Sequence, residues 1–395
     1  MAARPIGRLP FAAVTASSDH QVTIKLRQPN NAARGTLAII SFVQQKAYGQ
    51  KQGDKLGTSK APPIGTGPYA VSSFDTNGVT LTRNDKYSGA KPAADSVKFT
   101  AIADDNAAQL AMPSGQLDAV ALFDVKTANT WKSVPGATLY SSPTLYLDYV
   151  TMNTQVAPFT DLHVRRALAY ATDVKGLLAA NYGDQAQSSH ALTPSQVLKR
   201  IAPDQQKQDE LDAPFTQYGF DLEKAKAELA QSGYPQGFTT EYEYYSPAGK
   251  LVGLSLAQNL KKIGITVSRR LNDFIGDIFV GKVPALGFFS IAAVVPDPRS
   301  WYPYMVGKTN PYNASRFSTP ATESALQVLD SSTDQAERLT AMRSITQAMA
   351  TDLPYVGLAQ PNFVFAVAQG ATFTKEPDFM DVSTGNWIHF LKSTK

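Results

Sequence analysis

Hydrophobic and polar positions alternate in short runs along the first third of the chain. Val22 to Leu26 reads VTIKL, and Gly78 to Thr82 repeats the pattern, so both stretches predict half-buried strands. Elsewhere the spacing lengthens to that of amphipathic helices. Residues 161–171, DLHVRRALAYA, open with a capping Asp161 and place Val164, Leu168 and Ala171 on one face. DLEKAKAELAQSG is capped by Asp221 and closed by Gly233, with Leu222, Ala225 and Leu229 facing inward. Asp104 to Ala111 predicts a short helix, followed by a strand over Leu117 to Leu122. Leu251 to Ile263 predicts another helix, which hands over at Gly264 to the strand ITV. A long helix from about Thr333 to Asp352 precedes a strand after Pro354. Strands alternating with helices predict an α/β architecture.

One stretch breaks the pattern. Residues 288–304, FFSIAAVVPDPRSWYPY, run from an apolar strand into Pro-Asp-Pro, then an Arg and three more rings. Pro296 and Pro298 fix φ and remove two donors, so the strand must end there. The residues that follow are expected to form a rigid loop that presents aromatic side chains.

Composition sets the scale. With 395 residues, 43% apolar and 18% charged, the chain has material for two or three domains, each with its own core. Its longest apolar window, Ala285 to Val295, is bounded by Pro284 and Pro296 and falls short of the roughly 20 residues of a membrane-spanning helix. Net charge is +4 and the basic residues are scattered. The doublets Lys261-Lys262 and Arg269-Arg270 fall on a predicted helix and a predicted strand, a pattern of solvated charge and not of a nucleic-acid groove. The absence of cysteine removes thiol nucleophiles, disulfides and thiolate metal sites together. Near the N-terminus the apolar stretch Leu9 to Val14 contains a proline and is shorter than the roughly 7 to 15 residues of a secretion-signal core, so it reads as mature chain.

Catalytic motifs are near misses. GDIFVGKV, residues 276–283, has phosphate-loop spacing, but Val283 stands where a Ser or Thr must hold magnesium. GLSLA, residues 253–257, lacks the final glycine of a nucleophile elbow and lies in a helical pattern. His20, His163, His190 and His389 show no metal-binding spacing. Asn313-Ala-Ser315 fits a glycosylation sequon. No catalytic residue, metal ligand or cofactor site is expected.

Several longer stretches carry a resemblance. PPIGTGPYAVSSF, residues 62–74, is followed by Leu81, Arg83, Asn84, Tyr87, Gly89, Lys91 and Pro92, then by Ser114-Gly115 and Asp118. MNTQVAPFTDLHVRRALAYATD, FDLEKAKAELAQSGYPQGF, KKIGITV, the VPDP turn and LPYVGL follow in order. Together, over roughly residues 20–365, they resemble the family 5 extracellular solute-binding proteins of bacterial ABC importers, which include oligopeptide-, dipeptide- and nickel-binding members.

The resemblance implies a two-lobed, type II periplasmic-binding-protein-like α/β fold with mixed sheets flanked by helices and a hinge. Lobe I would comprise residues 17–151 and 366–395, and lobe II residues 152–365, with crossovers near Val150 to Asn153 and Phe365 to Val367. Members carry a longer chain before the equivalent of DHQVTIKL, so lobe I is expected to be incomplete at its N-terminus. The implied function is binding, not catalysis. A solute is captured between the lobes and delivered to a membrane permease in the periplasm or another extracytoplasmic space. A truncated homologue acting only in protein interaction and a hydrolase on a two-lobed scaffold are the alternatives.

Carried over to this chain, the ligand-binding residues would be Asn153, Tyr245, Ser246, Phe289, Ile291, Ala292, Val294, Asp297, Arg299 and Trp301. Phe288, Phe289, Trp301, Tyr302 and Tyr304 could equally line the pocket or fill the lobe II core. Two positions depart from the family. Val294 stands where peptide-binding members place an acid against the α-ammonium, and Glu243 stands where dipeptide-type members place an Arg for the ligand carboxylate. A free dipeptide would lose both counter-charges, and no histidine follows the turn to suit nickel. A longer peptide held by its backbone, an oligosaccharide stacked on rings or a similar organic solute fits better.

Overall fold

The computed structural model describes residues 11–394, other than Ser41, Phe123, His190, Ala191, Thr216, Gln217, Asp273 and Val280. Contacts divide the chain into two units. The first comprises Met1–Arg27, Gly35–Ser142 and Asn362–Lys395, and the second Gln28–Arg34 and Pro143–Pro361. The expected crossovers, at residues 150–153 and 365–367, fall at the ends of strands, whereas these divisions fall at 142/143 and 361/362.

In the first unit β1 (Phe11–Ser18) and β2 (Gln21–Leu26) form an antiparallel hairpin that contains VTIKL. β3 (Tyr69–Asp75), β4 (Gly78–Arg83) and β5 (Ser96–Thr100) form a three-stranded antiparallel sheet. Helix α1 (Asp105–Ala111) starts where Asp104 accepts a hydrogen bond from Ala107 N at 2.9 Å. The strand expected over 117–122 contracts to β6 (Ala119–Ala121), and β7 is Thr138–Pro143. Trp131, Ala108, Met112 and Ala366 form a small buried cluster.

The second unit is built on a mixed sheet. It contains β8 (Tyr146–Met152), β9 (Ala186–Ser188), β10 (Thr239–Tyr244), β11 (Thr266–Leu271), β12 (Leu286–Ala292) and β13 (Tyr355–Val367). The order is β11-β10-β12-β8-β13, with β9 also paired to β13. β10 runs parallel to β11 and β12, and β8 runs antiparallel to β12 and β13. From Leu147 to Met152 every residue of β8 is buried, as a central strand covered on both faces requires. β13 serves both units: Tyr355 to Pro361 pairs with β8 and β9, and Phe365 to Val367 pairs with β6. β14 (Ala371–Phe373) and β15 (Leu391–Ser393) return to the first unit as a hairpin.

Acidic side chains cap several helices of the second unit, among them the expected caps Asp161 and Asp221. Asp161 caps α2 (Leu162–Ala171), Asp173 caps α3 (Val174–Tyr182) and Asp221 caps α5 (Leu222–Ala230), while α4 spans Ser195–Ile201. α6 (Pro247–Lys261) contains GLSLA, whose glycine serves packing. A Cβ on Gly253 would lie 2.5 Å from the Tyr242 ring, and one on Gly249 would lie 2.7 Å from Phe288, so both glycines let the helix approach the sheet. α7 (Pro298–Val306), α8 (Pro320–Ser331) and α9 (Gln335–Asp352) complete the elements used below. α9 is the expected long helix, capped by Asp334.

Candidate functional site

The end of β12 leads into the Pro-Asp-Pro turn, and here the structure differs from the expected loop. Asp297 accepts from Arg299 N at 2.9 Å and Pro298 takes the first helical position, so the chain enters α7 directly. Trp301, Tyr302 and Tyr304 are therefore helical residues. Proline removes no hydrogen bond at a helix start, which is why Asp-Pro ends the strand and begins the helix in one step.

Asp297 fixes this turn from below. It is buried, accepts from Arg338 Nη2 of α9 at 2.7 Å and lies 3.5 Å from Arg200 Nε of α4. Arg299 pairs with Asp330 of α8, and the Ser300 hydroxyl accepts from Val294 N at 2.9 Å and Val295 N at 3.2 Å. Burial pulls the Arg299 guanidinium below its ordinary pKa, opposed by the Asp297 charge. These ion pairs and hydrogen bonds hold the 294–300 backbone in one conformation.

Most of the rings are core. Trp301 is fully buried and donates from Nε1 to Leu192 O at 2.7 Å, and the Tyr302 hydroxyl lies 2.9 Å from Thr193 Oγ1. Phe289 is buried and stacks on Tyr149, with centroids 6.0 Å apart, while buried Phe288 lies against Gly249. Tyr304 is half-buried, 5.4 Å from the Tyr312 ring.

Polar members of the expected set are also engaged. Tyr245 accepts from Ser290 N at 2.7 Å and donates to Ser290 O at 3.0 Å, and burial pushes its phenol above the usual pKa. Ser246 caps α6 by accepting from Gly249 N at 3.1 Å. Asn153 is buried, with its N–H on Ala285 O at 2.9 Å and its Oδ1 accepting from Gln155 N at 3.1 Å. Glu243 accepts from Arg270 Nη2 at 2.6 Å and from Asn272 Nδ2.

What remains available is apolar. Ile291, Ala292 and Val294 are half-buried where β12 gives way to the turn, with buried Ala293 between the last two. Ile291 and Ala292 lie on opposite faces of the strand. Ala292 is paired in register with Tyr146, which is 41% exposed and so extends this apolar edge.

One residue escaped the sequence reading. Asp148 lies in the middle of β8, 3% exposed and directly across from Ser290. Tyr182 of α3 donates to its Oδ2. Burial raises the carboxyl pKa to about 6, against the lowering effect of the Ser290 and Tyr182 hydroxyls. Its only signal in the sequence is an acid inside the strand-forming run YLDYVTM.

Among the described residues no cluster of His, Asp or Glu is arranged to hold a metal ion. His163 is spent on Glu228 at 2.8 Å, and His190 lies outside the described residues. Asn313 of the sequon is buried, and its Nδ2 donates to Phe317 O at 2.8 Å, so it offers no surface acceptor.

Comparison with known proteins identifies the family and the fold. Residues 4–313 match the model of the bacterial extracellular solute-binding proteins, family 5. Heme-binding protein A of Haemophilus influenzae is 24% identical over 340 residues, covering 83% of this chain and 60% of that protein. Glutathione-binding protein GsiB of Pectobacterium atrosepticum is 24% identical over 387 residues, covering 92% of this chain and 71% of that protein. The chain thus spans less than two thirds of the first of these relatives and 71% of the second. The periplasmic binding protein DppA of Helicobacter pylori, solved with the peptide STSA, superposes with a TM-score of 0.78 at 22% identity, covering 98% of this chain and 75% of that one. AgaA of A. tumefaciens, solved with agropinic acid, gives 0.79 at 22% identity, covering 98% and 78%. These likenesses establish the two-lobed type II periplasmic-binding-protein fold, and the family match over most of the chain establishes that it belongs to the bacterial extracellular solute-binding proteins, family 5.

Proposed function

We propose that this chain is the solute-binding component of an ABC importer, which captures a peptide-like or other organic solute outside the cytoplasm and passes it to a membrane permease. The family match across residues 4–313 carries this reading. No described helix is long and apolar enough to cross a membrane, in keeping with a partner supplying the channel. The two units act as lobes I and II of the family.

Within the second unit, Ala292 and Val294 make the direct solute contacts, with Tyr146 at their rim, while Ile291 lies on the other face of β12. Asn153, Tyr245, Ser246, Phe289, Asp297, Arg299 and Trp301 have their polar atoms or rings committed to neighbours and hold that surface in place. A methyl surface at Val294 and a neutralised Glu243 favour a neutral or apolar solute portion over a desolvated ammonium or carboxylate. The test is a thermal-shift panel of blocked peptides, free peptides and oligosaccharides. A saturable rise in Tm with a blocked peptide or an oligosaccharide supports the reading, and free dipeptides as the tightest ligands would overturn the solute assignment.

A further inference from the structure

β11 is the outer strand of the second unit's sheet, and its free edge is chemically specific. Thr266 N donates to Phe238 O at 2.9 Å and Asn272 N donates to Tyr244 O at 3.0 Å. Because backbone groups alternate in direction along a strand, the even-numbered residues face β10, and Val267, Arg269 and Leu271 turn their N–H and C=O groups away from the sheet. The side chains of those three residues share the face covered by α6, where Arg269 Cδ would lie 3.2 Å from a Cβ on Gly253. Between α6 and β11 runs a groove of about 600 Å³ lined by Leu251, Leu254, Gln258, Lys261, Val267 and Arg269. Leu254 is 42% exposed and Leu271 66% exposed, so among the described residues the edge is both unpaired and apolar.

Charge decides what fits. Lys261, Lys262 and Arg269 form no ion pair among the described residues, while Arg270, on the other face, is held by Glu241 at 2.8 Å and Glu243 at 2.6 Å. The groove side of the edge is therefore basic. A second copy of this chain pairing β11 with β11 would bring its arginines against these, which like-charge repulsion opposes. We propose that β11 is a docking edge for an extended acidic segment of a partner polypeptide, which adds a strand to the sheet and sets its acids against Lys261 and Arg269.

The probe is a fluorescein-labelled octapeptide of alternating glutamate and valine, compared by fluorescence anisotropy with its lysine-valine counterpart. The glutamate peptide is expected to bind about ten-fold tighter at low salt, with the difference shrinking as salt is added. Lys261→Glu with Arg269→Glu should invert that preference. Leu271→Pro, which removes one outward N–H without changing charge, should weaken binding about five-fold with circular dichroism unchanged. If the double reversal unfolds the protein, Lys261→Glu alone, at an exposed helix end, should still narrow the preference. Equal binding of the two peptides, or unchanged binding in folded Lys261→Glu and Leu271→Pro proteins, would overturn the proposal. So would a dimer in sedimentation that Leu271→Pro abolishes, since it would give the edge to a second copy.

Discussion

A single hydroxyl, that of Tyr245, satisfies both backbone polar groups of Ser290, accepting from its N–H at 2.7 Å and donating to its carbonyl at 3.0 Å. A side chain just past β10 thereby fixes β12 immediately before its half-buried apolar residues. Tyr245→Phe keeps the ring and leaves a half-buried N–H and carbonyl without this partner, which should cost about 1 kcal/mol in urea unfolding. An unchanged midpoint would mean that water replaces the hydroxyl and that β12 is not held in this way.

The Pro-Asp-Pro turn makes a second prediction. Asp297 neutralises Arg338 and caps α7 at once, so Asp297→Ala leaves a buried guanidinium without its counter-charge. Loss of a buried partner of this kind costs about 3 to 5 kcal/mol. Pairing it with Arg338→Met should recover part of the loss, and strict additivity in that double-mutant cycle would contradict a direct coupling.

Asp148 should make stability fall with rising pH. Its carboxyl titrates at about 6 in the folded chain, against 3.8 ordinarily. The folded state therefore holds this proton more tightly than the unfolded state. Stability from this group is complete below pH 3.8 and is lost as pH rises through 6, by about 3 kcal/mol at most. Asp148→Asn, neutral throughout, should be more stable than the parent at pH 7.5 and lose that advantage at pH 4. Parallel pH profiles for the two proteins would show that Asp148 is not desolvated.

Much of the architecture was legible because it rests on local chemistry. Asp161 and Asp221 cap helices whose apolar spacing is plain in the sequence, and VTIKL forms a strand as its alternation predicts, although Val22 is 63% exposed and only Ile24 and Leu26 are half-buried. The turn after β12 misled because proline signals both a strand end and a helix start, and only the capping Asp297 separates them. Trp301 and Phe289 carried no sign of which way they faced; burial against Leu192 and Tyr149 is a tertiary fact. Asp148 was hidden for the same reason, since its pKa depends on a strand and a helix far away in sequence.

Val294 tests the solute surface. Replacing it by Asp puts a carboxylate where an apolar contact is proposed, and a solute held by that contact should lose about 1 to 3 kcal/mol of affinity. Val294 is only half-buried, so Tm should change less than it does for Asp297→Ala. A large fall in Tm with affinity intact would place Val294 in the core and remove it from the site.

Native mass spectrometry of the purified protein, equilibrated with a mixture of short peptides and oligosaccharides, tests the central claim most directly. A solute-binding protein should carry one retained solute per chain, visible as a discrete 1:1 adduct that disappears on denaturation and is depleted in Val294→Asp. Only the bare mass of the chain, across the whole mixture, would contradict a solute-binding role.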